Sequence, residues 1–178
     1  LDTKKVREIE SYYKTCADDG ATEEDIEASK NAMSSMEIIL GEPSRLERLA
    51  VDIHDHYTAA CEKEPDRIQK AMVVCSNRQI AYDLLLKFQE KYPEWFAPKK
   101  VPDGTAAAKE ELDAMKPLPF MAMVASVGSN DKPEMYDYLG GVKNDKRSKE
   151  LDAAFKQEKS NFRIVIVVDM WITGFDVP

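Results

Sequence analysis

Residues Phe162 to Pro178 read F-R-I-V-I-V-V-D-M-W-I-T-G-F-D-V-P, and the fold class turns on them. Ile164 to Val168 is an unbroken apolar, β-branched run. Such a run suits a strand buried on both faces, as in a parallel sheet. It stops at Asp169 and gives way to Thr173-Gly174-Phe175-Asp176-Val177-Pro178. Open α/β sheets place their ligand sites where a buried strand empties into a polar, Gly-containing loop.

Working outward, the chain has 178 residues, enough for one domain with a sizeable core, or a core plus a helical appendage. Apolar residues make up 43% and charged residues 33%, which describes a globular chain rather than a disordered one. No apolar run approaches the roughly 20 residues of a membrane helix, and no signal segment precedes a cleavage site. Leu1 at the start and a core strand close to the end suggest a piece of a longer protein. Cys16, Cys61 and Cys75 are widely spaced and form no C-x-x-C, so zinc is not expected. Free thiols fit a reducing cytoplasm. The net charge of −8 argues against an indiscriminate nucleic-acid binder. Its distribution is uneven: residues 1–64 carry the whole acidic excess, and residues 65–178 are balanced.

The first third reads as helices. Thr22 resembles an N-cap with acidic residues in the first turn, where they suit the helix dipole. Ile26, Met33 and Leu40 then share a stripe, and Gly41 ends the helix. Pro43 to Glu47 starts a second helix, with Ser44 as cap and Glu47 completing a capping box. Leu46, Leu49, Ala50, Ile53 and Tyr57 make its apolar face. From Lys70 the period changes. Ala71 to Cys75 is a candidate buried strand, followed by a helix with Ile80, Ala81, Leu84, Leu85 and Phe88 on one face. Residues 97–117 read mainly as an exposed insertion, with room for a short helix from Ala106 to Met115. Phe120 to Ala125 is a second buried-strand candidate, Gly128 to Gly141 a long loop, and Lys146 to Lys159 a helix that feeds the final strand. The order is helices, then β-α-β-loop-α-β, which implies a parallel sheet with right-handed crossovers.

Three loops follow the three strands. Ser76 and Arg78 follow the first, Ser126 and Ser129 the second, and Thr173, Gly174 and Asp176 the third. Taken alone, Ser76 serves equally as a helix N-cap, Arg78 as a surface ion-pair partner and Gly174 as a turn residue. His54 and His56, within Asp52-Ile53-His54-Asp55-His56, point in different directions on a helix, so a solvated face is expected there rather than a metal site.

The block V-V-D-M-W-I-T-G-F-D-V-P, Val167 to Pro178, resembles motif V of superfamily 2 helicase motors. More narrowly, it resembles the version in the motor and restriction subunit of type I restriction enzymes. Lys70 to Ala81 resembles motif IV of that subunit, Glu42 to Ile53 its linker helix, and Phe120 to Asp131 its middle strand and loop. The resemblance covers residues 40–178 in order. It implies an α/β fold: a RecA-like parallel sheet flanked by helices, the incomplete second lobe of a P-loop NTPase-like motor, at residues 65–178. A helical segment and linker at 1–64 precede it. It implies that Thr173 contacts a DNA phosphate, that Gly174 and Asp176 approach the nucleotide, and that Ser76, Arg78 and Ser126 lie near DNA. Trp171 is expected in packing and Asp169 as a loop anchor.

The intact protein would then use ATP and Mg²⁺ to translocate and cleave duplex DNA, working with modification and specificity subunits. This chain alone carries no G-x-x-x-x-G-K-[ST] and no acidic box after a strand. Pro65-Asp66 and Pro102-Asp103 lack the downstream acidic-x-Lys of a metal-binding nuclease. It is therefore expected to be inactive by itself, with catalytic residues elsewhere. Alternatives are the second lobe of another superfamily 2 translocase, or a free-standing α/β interaction module.

Overall fold

The computed structural model describes residues 20–168, together with residues 11, 14–16 and 18. Helix α1, Glu23–Leu40, begins as the sequence predicts. The Thr22 hydroxyl accepts the Asp25 N–H at 3.2 Å, and the Asp25 carboxylate accepts the Thr22 N–H at 3.2 Å. This reciprocal capping satisfies two donors that the first turn leaves free. The Thr22 hydroxyl also donates to the Asp25 carboxylate at 2.6 Å, and this bond, with that from the Thr22 N–H, holds the Asp25 carboxyl below its ordinary range. Of the predicted stripe, Ile26 and Leu40 are partly buried, and the side chain of Met33 lies outside the described residues; elsewhere on the helix Met36, Ile38 and Ile39 are exposed.

Helix α2, Pro43–Lys63, starts one residue before the predicted Ser44 cap. Glu42 is the cap instead, its carboxylate accepting the N–H groups of Ser44 at 3.0 Å and Arg45 at 2.7 Å. Pro43 supplies the reason: its fixed φ and missing N–H suit the first helical position. The predicted apolar face is correct, with Leu46, Ala50 and Tyr57 buried and Leu49 and Ile53 packed beside them.

Strands β1 (Ala71–Val74), β2 (Met121–Val124) and β3 (Ile164–Val167) form one parallel sheet in the order β1-β3-β2. The last strand in sequence is thus the central one. All four residues of β3 are buried, as its unbroken apolar run predicts. Helix α3, Arg78–Lys91, follows β1 and buries the five predicted residues, Ile80, Ala81, Leu84, Leu85 and Phe88. They join α2 and one sheet face, including Met121, Met123, Ile164 and Ile166, in one core. The other face, with Ala122, Val124, Val165 and Val167, packs on Leu151, Ala154, Phe155 and Phe162.

Three expectations need correction. Strand β1 is not buried throughout: Val74 is 55% exposed, because it sits on an edge beyond the reach of the helix that covers the second face. The predicted loop from Gly128 to Gly141 contains helix α5, Pro133–Tyr138. Pro133 opens it, and Met135, with Leu139 just beyond its end, anchors it in the core. The predicted helix from Lys146 to Lys159 instead runs Asn144–Lys156. It is α6 here, because the insertion holds a short helix α4, Lys109–Ala114, as foreseen.

Candidate functional site

The carboxyl ends of the parallel strands all face one way, and two polar loops meet there. The loop after β1 carries Ser76 and Asn77, and Arg78 opens α3 directly after them. Ser76 does not cap α3, as it would in its structural reading. Asn77 does so, its side chain accepting the Ile80 N–H at 2.9 Å. The Ser76 hydroxyl is therefore left exposed and has no partner among the described residues. Ser126 and Ser129, in the loop after β2, are exposed in the same way.

Arg78 is bound to that second loop. Its Nε lies 3.1 Å, and its Nη2 2.9 Å, from Oδ1 of Asp131. The other carboxylate oxygen of Asp131 accepts the Gly128 N–H at 2.7 Å. The Asp131 side chain is only 2% exposed and that of Arg78 28%, so the pair is sheltered from competing water and screening. Gly128 makes the arrangement possible. A Cβ at that position would stand 2.2 Å from Nη2 of Arg78. Sequence reasoning picked out Arg78 but not Asp131 or Gly128. The only available signal was an acid following a Gly in the loop after the second strand, opposite a cation in the loop after the first.

Thr173, Gly174 and Asp176, with Asp169 and Trp171, lie outside the described residues. Strand β3 itself ends at Val167, level with Val74 and Val124, between the strands that carry the two loops.

The other sequence features resolve into structure. His54 does not lie on a solvated face: its ring stacks on Tyr92, with centroids 3.9 Å apart and planes 2° from parallel, and Trp95 lies 5.0 Å away. This aromatic group joins α2 to the end of α3. No cluster of three His, Cys, Asp or Glu able to hold a metal occurs among the described residues. A cleft of about 590 Å³ lies between α2 and β1, lined by residues including His56, Tyr57, Lys70 and Met72. Burial and the neighbouring Arg163 bring the Lys70 ammonium down to about 8. Its Nζ nonetheless donates to the backbone carbonyls of Phe155 and Gln157, so it closes the end of α6 rather than serving the cleft. The cysteines form no disulfide, and burial raises the Cys75 thiol to about 11, an inert rather than a reactive setting. No helix among the described residues is long and apolar enough to cross a membrane.

The chain is 30% identical over 152 residues to the HindI endonuclease subunit of a type I restriction enzyme from Haemophilus influenzae. It is 30% identical over 171 residues to the putative MjaIXP endonuclease subunit of a type I restriction enzyme from Methanocaldococcus jannaschii. Type I restriction endonuclease subunits are its homologues. The matches take in 85% and 96% of this chain. The chain in turn spans 12% and 13% of the length of those endonuclease subunits. No family model matches the chain. No solved structure matches it.

Proposed function

We propose that this chain supplies the second RecA-like motor lobe, with a preceding helical linker, of a type I restriction endonuclease subunit. The observation that carries the reading is the alignment of nearly the whole chain with such subunits. A parallel sheet whose carboxyl-end loops expose short hydroxyls beside a sheltered guanidinium supports it. Hydroxyls and Arg at strand ends are suited to holding a phosphate backbone without reading bases. In this reading Ser76, Arg78, Ser126 and Thr173 meet DNA, while Gly174 and Asp176 face the nucleotide. The intact enzyme translocates and cleaves duplex DNA in the cytoplasm, in a complex with modification and specificity subunits.

ATP and Mg²⁺ belong to that intact enzyme. This chain's residues do not make a complete site for them: the sequence has no phosphate loop, and the described residues gather no acidic cluster. What the chain's own residues do is bind and orient a phosphate backbone. The test uses the purified chain, a short fluorescent duplex and a salt titration. Weak binding that falls as salt rises, with no ATP turnover, is expected. ATP hydrolysis by the pure chain, or no binding even at low salt, would overturn the reading.

A further inference from the structure

We propose that Asp131 is a positioning residue that presents Arg78 to a nucleic-acid phosphate. The inference rests on the DNA-facing reading of Arg78 and adds a residue and a mechanism to it. Asp131 engages Nε and Nη2 through a single oxygen, and its other oxygen is tied to the Gly128 backbone. The guanidinium is thereby held in one orientation by a carboxylate that is itself fixed. Its remaining nitrogen, Nη1, has no hydrogen-bond partner among the described residues. Arg78 is partly exposed while Asp131 is almost wholly covered, so an anion arriving from solvent meets the cation and not the carboxylate. A planar guanidinium can bind a carboxylate along one edge and an oxyanion along another, which an ammonium cannot do. Fixing the fork in advance removes side-chain entropy that would otherwise oppose binding. The same contact ties the start of α3, two residues after Ser76, to the loop after β2 that carries Ser126, 53 residues later in sequence.

A second role competes with this one. A buried carboxylate also cancels the charge of Arg78, and Asp131 could then act as a brake on DNA binding. The two roles predict opposite signs. Replacing Asp131 removes a negative charge, which by simple electrostatics strengthens binding to DNA. If Asp131 positions Arg78, the same change weakens it.

The experiment measures duplex affinity of the full chain across a salt series for wild type, Asp131→Asn, Gly128→Ala, Arg78→Ala and Asp113→Asn. Asp113 is an exposed residue of α4 and controls for charge alone. Arg78→Ala should lower the salt slope by about 0.9, one phosphate contact. Asp131→Asn should weaken binding roughly tenfold, the loss of one charge-assisted contact, while Asp113→Asn leaves it level or slightly tighter. Tighter binding by Asp131→Asn, matching the Asp113→Asn control, would overturn the positioning role and leave the DNA reading intact. An unchanged salt slope in Arg78→Ala would instead remove Arg78 from the DNA surface. Should Asp131→Asn fail to fold, Gly128→Ala decides, since it displaces the guanidinium while keeping the carboxylate: weaker binding supports the proposal, and wild-type binding overturns it.

Discussion

The two edges of the sheet are built from similar four-residue strands, yet they are finished in opposite ways. At the β2 edge, side chains replace the missing neighbour. The Met123 N–H donates to Tyr138 Oη at 3.1 Å, and its carbonyl accepts from Arg147 Nη1 at 3.0 Å. One residue beyond the strand, the Ala125 carbonyl accepts from Asn144 Nδ2 at 2.9 Å. Arg147 also lies over the Tyr138 ring, 4.9 Å from its centre. At the β1 edge nothing comparable occurs among the described residues. Ala71 and Cys75 turn their N–H groups toward β3, so Met72 and Val74 turn theirs outward. Those outward groups have no partner among the described residues, and the Val74 side chain is exposed. An unpaired edge is a template for another strand, and proteins blunt such edges in several ways. Here one edge is closed by the residues of α5 and α6, and the other has no such closure among the described residues.

The largest effect should come from breaking the closed edge at its most buried point. Asn144 bonds two carbonyls, those of Ala125 and Leu139, from a buried position. Asn144→Ala should cost about 2 kcal/mol in urea unfolding, since it leaves both acceptors without a donor. A loss under about 0.5 kcal/mol, the scatter of neutral surface changes, would show that the edge does not depend on it. Tyr138→Phe should cost about 1 kcal/mol and speed hydrogen exchange at the Met123 amide. In the wild type that amide should exchange more slowly than those of Met72 and Val74, and equal rates would erase the contrast between the edges. At the open edge, Val74→Thr should shift stability by no more than about 0.5 kcal/mol.

The smallest effect concerns Lys70, at the foot of β1. The unfolded chain keeps this proton to about 10.5, and the folded chain releases it near 8. Between those values the unfolded state binds more protons, so Lys70 makes stability rise with pH there, and contributes no slope well below 8. Cys75 works the opposite way, its thiol raised from 9.0 to about 11, so the difference between wild type and Lys70→Met isolates the lysine. That difference should shift in favour of the wild type as pH climbs from 8 to 10.5. A flat difference would mean the ammonium is not desolvated in the fold.

What could be read from the sequence follows the range of the interactions. Strand β3 and helix α3 were legible because burial writes itself locally, as an apolar run or a helical stripe. The start of α2 was misplaced by two residues because Glu42 and Ser44 compete as caps and Pro43 decides between them. Helix α5 was hidden because it is short and lies between Gly128 and the pair Gly140-Gly141, which read as loop residues. The exposure of Val74 depends on which strand lies at the edge, which no local pattern encodes. In the candidate site, Ser76 and Arg78 were visible as polar residues after a strand. The Arg78–Asp131 pair was not, since an ion pair between separate loops leaves no periodic trace. Similarly, His54 looked solvated because its aromatic partners, Tyr92 and Trp95, come from beyond the next strand.

The strand order β1-β3-β2 has a consequence for how the chain assembles. Strands β1 and β2 never touch each other; each is bonded to β3. A nascent chain emerging in sequence order can therefore form α2 and α3, but among the described residues β1 and β2 have no strand to pair with until residues 164–167 have been made. Every contact of this sheet is then closed at once, by a single segment whose paired residues lie 43 positions after those of β2 and 93 after those of β1. Such non-local closure is intrinsically slow. Until that moment the apolar faces of β1 and β2 have no partner strand, and this is the interval in which the chain is most exposed to aggregation.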